Sequence, residues 1–101
     1  MNAPYKNIAI LGAGESGTGA ALLAKKAGCH VFVSDKGEIK ENYKAELNEN
    51  LIKWEEGTHS EDMILASDCI IKSPGIPDKA ELIVKAHGRN IPVISEIEWA
   101  G

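Results

Sequence analysis

Gly12-Ala13-Gly14-Glu15-Ser16-Gly17 is the stretch that most narrows what this chain can become. It follows an apolar run, Ile8-Ala9-Ile10-Leu11, and opens a segment of small and apolar residues from Thr18 to Ala24. The pattern reads as buried strand, tight turn and helix, with Gly12 in the turn, Gly14 leaving room for an anion, and Gly17 letting the helix sit close to the sheet. The first N–H groups of such a helix have no intrahelical partner and lie at the positive end of its dipole, so they suit a diphosphate. Many folds share a glycine turn of this kind; the strand before it and the helix after it are the context that gives it meaning.

The rest of the chain repeats the alternation. The first strand covers Asn7 to Leu11, and its helix runs from about Thr18 to Ala27, with Lys25 and Lys26 in the last turn and Gly28 as the left-handed residue that ends it. His30 to Ser34 forms the second strand with Asp35 at its carboxyl end, which completes a β-α-β unit of about 30 residues. Ile39, Tyr43 and Leu47 recur at every fourth position and predict a thin amphipathic helix from Glu38 to about Asn48. Leu51, Ile52 and Trp54 predict a short edge strand ended by Glu55-Glu56-Gly57, and Ser60 to Ala66 a short helix. Asp68 to Lys72 is the fourth strand and leads into Ser73-Pro74-Gly75-Ile76-Pro77; Asp78 with Glu81 predicts a capped helix closed by Gly88. Ile91 to Ile94 is the fifth strand, and Ser95 with Glu98 is a second capping box. The fold class is therefore α/β, a Rossmann-like doubly wound parallel sheet of five strands in the order 3-2-1-4-5. In that order the loops after strands one and four meet at the crevice where ligands bind.

Length and charge bound the function. With 101 residues the chain is one domain, large enough for a core but too small for a nucleotide-binding half and a catalytic half together; residues 1–6 read as a leader and residues 7–101 as the domain. A net charge of −4 and the absence of any basic run argue against nucleic acid, so an anionic ligand has to be held by directed backbone donors. No apolar run approaches ~18 residues and no signal sequence precedes the first strand, which predicts a cytoplasmic protein with no membrane partner. Cys29 and Cys69 have neither CxxC nor His spacing and read as reduced core residues.

Candidate chemistry concentrates at the two loops. Asp35 stands about 20 residues beyond the glycine turn, where an acid can accept from ribose hydroxyls or a base N–H; capping of the next helix is the simpler alternative. Ser73-Pro74-Gly75 is either an ordinary turn or a second clamp on the ligand. His30, His59 and His87 have no nucleophile or metal-ligand partner at useful spacing, and the adjacent Glu55 and Glu56 point to opposite faces of a strand, so no catalytic group and no metal site is expected. No GxxxxGK[ST] is present to hold ATP and magnesium. Spacing alone thus leaves a nucleotide-binding domain that could belong to an NAD-dependent dehydrogenase, to a nucleotide-sensing regulatory module, or to another nucleotide enzyme.

Taken together, the glycine turn, Ser34-Asp35-Lys36, Ser73-Pro74-Gly75-Ile76-Pro77 and Ile91-Pro92-Val93-Ile94-Ser95-Glu96-Ile97-Glu98 resemble the amino-terminal domain of the Mur ligases, in particular the branch that adds D-glutamate. The resemblance runs from about Lys6 to Gly101. It implies a larger three-domain enzyme of peptidoglycan synthesis in which ATP, with magnesium, phosphorylates the carboxylate of UDP-N-acetylmuramoyl-L-alanine. The amine of D-glutamate then attacks the acyl phosphate to give the amide, ADP and phosphate. It implies that this domain holds the UDP part of the muramoyl precursor, with Gly12, Gly14, Glu15, Ser16 and Gly17 on the diphosphate, Ser73, Pro74 and Gly75 on its other side, and Asp35, Lys36 and Gly37 around the uracil. Glu15 is acidic where an apolar residue is common in the family, which leaves its backbone N–H as the contact. The same resemblance implies that the ATPase domain follows this stretch and that the stretch alone is inactive.

Overall fold

The computed structural model describes residues 5–100. Five strands alternate with five helices: β1 (Asn7–Leu11), α1 (Glu15–Lys26), β2 (His30–Asp35), α2 (Glu41–Glu49), β3 (Lys53–Glu56), α3 (Glu61–Leu65), β4 (Cys69–Lys72), α4 (Glu81–Gly88), β5 (Val93–Ser95) and α5 (Glu96–Ala100). The sheet order is β3-β2-β1-β4-β5, as the sequence predicts, and every pairing is parallel.

Strand β1 is central and its residues divide between two cores by the twofold period of a strand. Ile8 and Ile10 face one side with Val31, Val33, Cys69 and Ile71, under Ala20, Ala21 and Ala24 of α1 and Leu47 of α2. Ala9 and Leu11 face the other with Ile70, under Ile64 and Leu65 of α3 and Ile83 and Ala86 of α4. Burial on both faces explains the unbroken apolar runs in β1 and β4. Both cysteines are free and buried, and desolvation pushes the Cys69 thiol up to about 11. Trp54 and Trp99 pack against the α1 side of the sheet.

Several boundaries differ from the sequence expectation, each for a local reason. Helix α1 begins at Glu15, because the glycine turn supplies the helix's own first turn. Leu51 is not in a strand: it sits at φ 58° and is 83% exposed, and β3 starts at Lys53 and runs through Glu55 and Glu56. Asp78 does not cap α4; the helix starts at Glu81, and Asp78 instead stands 3.4 Å from Lys72 Nζ. Gly88 is the last residue of α4, and the left-handed position beyond it belongs to Asn90 at φ 59°. The Ser95–Glu98 box forms as expected, each backbone N–H donating to the other's side chain at 3.1 Å. Residues 1–4 of the expected leader lie outside the described residues. Lys6 is tied down: its N–H donates to Asp68 and its carbonyl accepts from the His30 N–H.

Two glycines are required by geometry. Gly12 takes φ 101°, and a Cβ there would meet Ser73 Cβ at 3.1 Å. A Cβ on Gly17 would lie 1.8 Å from the Gly12 carbonyl oxygen, so the helix touches the turn that precedes it through bare backbone. Gly19, two residues further along the helix and exposed, has nothing within 4 Å of such a Cβ. Gly17→Ala is therefore expected to cost at least about 2 kcal/mol of stability by forcing the turn apart. Gly19→Ala is expected to add about 0.5–1 kcal/mol through helix propensity. Chemical denaturation of the two variants beside the parent checks both signs.

Candidate nucleotide site

The carboxyl ends of β1, β2 and β4 open onto one cleft of about 850 Å³. Every residue singled out in the sequence except Gly37 lines it: Gly12, Gly14, Glu15, Ser16 and Gly17 from the first loop, Asp35 and Lys36 from the second strand end, and Ser73, Pro74 and Gly75 from the loop after β4. Gly37 lies just outside, its N–H donating to Asp35 Oδ1 at 2.8 Å and its carbonyl accepting from Gly57.

The glycine loop is held from below and left open above. Gly12 N–H donates to the Ser34 carbonyl at 2.8 Å and Ala13 N–H to Asp35 Oδ2 at 2.8 Å. The first internal bond of the helix runs from Thr18 N–H to the Gly14 carbonyl at 2.9 Å. The amides of Gly14, Glu15, Ser16 and Gly17 have no acceptor among the described residues, as a helix start requires. Opposite, Ser73 N–H continues the sheet ladder to the Leu11 carbonyl, and the Ser73 hydroxyl accepts from Gly75 N–H at 3.3 Å. Lys72 Nζ donates to the Ile76 carbonyl at 2.9 Å, so its charge closes this loop instead of entering the cleft.

Asp35 acts on the backbone before it acts on anything else. Its two oxygens accept from Ala13 and Gly37, which joins the glycine loop to the turn after β2. A carboxylate oxygen has room for a second donor, so Asp35 keeps acceptor capacity toward the cleft.

Four further lining residues have no site role in the sequence analysis: Thr58, His59, Glu61 and Glu96. His59 does have a partner at long range, the Ser34 hydroxyl, with Nδ1 2.7 Å from Oγ. Burial holds the His59 imidazole below the usual histidine range, against the pull of Glu55 and Asp35. Burial also pushes the Glu55 carboxyl up, but bonds from Ser60 and Ser34 outweigh it and hold it below the usual range. Glu96, at the start of α5, is 7% exposed, and desolvation raises its pKa. The predicted strand order was the available signal for His59, since it places the end of β3 beside the end of β2. Glu55 and Glu56 do point apart, to Ser34 and Ser60 on one side and to Ile39 and Lys44 on the other. Among the described lining residues Lys36 is the single Lys or Arg, against Glu15, Asp35, Glu61, Glu81 and Glu96. An anion in this cleft meets backbone N–H groups and hydroxyls with one lysine among them.

A family model for the MurD N-terminal domain matches residues 7–82, which is most of the chain. The chain belongs to that family. UDP-N-acetylmuramoylalanine-D-glutamate ligase of Bacteroides thetaiotaomicron is 58% identical over 96 residues, covering 95% of this chain and 22% of the relative. The ligase of that name from Porphyromonas gingivalis is 58% identical over 95 residues, 94% of this chain and 21% of the relative. A pseudomurein peptide ligase type C from Methanothermus fervidus superposes with a TM-score of 0.81 at 27% identity, covering 94% of this chain and 20% of that one. The chain thus spans about a fifth of the length of its curated relatives. Membership in the MurD N-terminal family places the glycine turn in a Mur ligase domain and not in a dehydrogenase. Among the described residues no helix is long and apolar enough to cross a membrane, and no group of His, Cys, Asp or Glu is placed to hold a metal ion.

Two outcomes test this geometry. Asp35→Ala is expected to lose about 2 kcal/mol of stability, from two backbone hydrogen bonds to a partly screened carboxylate. Amide exchange at Ala13 and Gly37 should speed up together, whereas a carboxylate serving only a ligand would leave both unchanged. The second outcome is a pH dependence. A histidine whose folded pKa is depressed binds its proton more readily when unfolded, so stability is full above the unfolded value near 6.5 and falls as the pH drops through it. Denaturation midpoints should decline from pH 7.5 to 5.5 in the parent, and His59→Asn should flatten that decline.

Proposed function

We propose that residues 7–101 hold the UDP moiety of UDP-N-acetylmuramoyl-L-alanine, as the first domain of an ATP-dependent ligase that adds D-glutamate during peptidoglycan synthesis in the cytoplasm. The observation that carries this reading is the set of four unpartnered amides, Gly14 to Gly17, at the mouth of a cleft almost without side-chain cations. Such an array suits a diphosphate, whose oxygens accept from N–H groups and whose charge the helix dipole favours. Ser73, Pro74 and Gly75 close the opposite wall of the diphosphate site. Asp35 and Lys36, with Gly37 behind them, bound the uracil end, where the free capacity of Asp35 can accept from the base N–H. Glu15 serves through its amide, its carboxylate directed away from the phosphates.

We assign the acyl-phosphate chemistry to a full-length ligase of the relatives' size. Family membership supports assigning ATP, magnesium and D-glutamate to the parts of a full-length ligase beyond the fifth that this chain matches. The relatives named above carry the D-glutamate activity in their names, and membership in their family supports that branch over the alanine-adding one.

Titration of the isotope-labelled chain with UDP tests the reading. Saturable shifts are expected at the amides of Gly14, Glu15, Ser16 and Gly17 and at Asp35 and Ser73. The dissociation constant should be roughly 0.1 to several mM, because the rest of the precursor would contact other domains. NAD in parallel should produce no saturable shift. Silence at those amides with UDP, or saturation with NAD instead, would refute the assignment.

A further inference from the structure

Ser34 is wholly buried, and its hydroxyl has three neighbours: Glu55 Oε2 at 2.8 Å, the Thr58 carbonyl at 3.1 Å and His59 Nδ1 at 2.7 Å. The first two only accept, and a hydroxyl has one proton to give. If Nδ1 were bare, three acceptors would compete for that proton at the shortest contact of the set. With the proton on Nδ1, the imidazole donates to Ser34, and Ser34 donates on to Glu55. Glu55 is fixed in turn by the Ser60 N–H and hydroxyl. The chain Glu55–Ser34–His59 thus selects one tautomer of a neutral ring, in which Nε2 carries a lone pair. His59 is half-buried in the cleft wall, and its Nε2 has no partner among the described residues and is not enclosed.

We infer that His59 Nε2 is a specificity contact that accepts a hydrogen bond from the nucleoside part of the ligand. The inference rests on the UDP reading above and deepens it. The bridging diphosphate of a UDP-linked precursor carries no proton at neutral pH, so it offers acceptors only and cannot satisfy a bare ring nitrogen; the partner is a ribose hydroxyl or the uracil N–H. Ser34 connects the two halves of the site: its carbonyl holds the glycine loop through Gly12 N–H, and its hydroxyl holds the histidine.

The test is a long-range proton–nitrogen correlation of the His59 ring in the labelled chain, at a pH where the ring is neutral, with UDP, pyrophosphate and 2′,3′-dideoxy-UDP added separately. The expected free spectrum has a protonated Nδ1 and a bare Nε2. UDP should move Nε2 toward its hydrogen-bonded position while Nδ1 stays, and pyrophosphate should leave both in place. The dideoxy ligand then assigns the donor, to the uracil N–H if the shift persists and to the ribose if it is lost. His59→Asn, which keeps an Nδ1-like donor to Ser34 but has no Nε2, should fold and bind UDP about fivefold more weakly. His59→Gln, which reaches the Nε2 position, should recover part of that loss; a merely structural histidine would show neither the Nε2 shift nor this order of variants. A free ring protonated on Nε2, an Nε2 unmoved at UDP saturation, or a shift with pyrophosphate would each overturn the inference. Saturation at Gly14 to Gly17 with an unmoved Nε2 overturns it alone, whereas failure of those amides to saturate overturns the UDP reading and this one with it.

Discussion

The contact of Gly17 with the Gly12 carbonyl is the constraint on which the rest of the structure depends. No side chain of any size fits between these two backbones. Because they touch, α1 leaves the sheet at once, and its first four amides end up directly above the carboxyl end of β1. The same closeness lets α1 cover the sheet with Ala20, Ala21 and Ala24, where larger residues would hold it off. Gly12 must then turn with a positive φ against Ser73, which fixes the distance between the loops after β1 and β4. The two walls of the cleft are set by one backbone encounter and not by the residues that would touch a ligand.

A second layer of fixation comes from side chains that work on backbone. Asp35 joins the glycine loop to the turn at Gly37, Lys72 closes the loop that ends near Ile76, and Asp68 fastens the entry to β1 through the amides of Lys6 and Asn7. In each case a charged side chain bonds backbone at or beside the end of a strand, and a charged partner makes each bond stronger than a neutral one. The cleft therefore needs little rearrangement to receive a ligand, which lowers the ordering cost of binding.

Strand order, sheet polarity and the placement of the two loops were legible because the apolar runs of β1 and β4 and the glycine turn are local signals of a parallel sheet. The edges were less so. Leu51 looks like a strand residue by composition but turns out into solvent at a left-handed position, since Ile52 beside it already fills the core place. Asp78 carries the pattern of a cap, and the nearby ammonium of Lys72 competes for it. His59 has no partner at local spacing because the Ser34 hydroxyl lies 25 residues away in β2, at a distance only the folded sheet brings to 2.7 Å. The burial of Glu96 has no local signal for a related reason, since it depends on the neighbouring start of α1. The glycine turn and the Ser73–Pro77 loop, by contrast, combine local spacing with a shared strand-end position, which is why they could be placed together in advance.

The acids around the cleft give its electrostatics an unusual sign. Most sites for multiply charged phosphates attract their ligand from a distance with lysine and arginine, so dissolved salt weakens them. Here the long-range field of Glu15, Asp35, Glu61, Glu81 and Glu96, with Lys36 alone opposing it, repels an approaching anion, while the attraction comes from N–H groups at contact range. Counter-ions reach the first of these and screen it, but they cannot enter a formed hydrogen bond. Rising ionic strength would accordingly speed the encounter and leave the bound complex largely untouched, which is the behaviour of a site that selects by the direction of its donors and not by the amount of its charge.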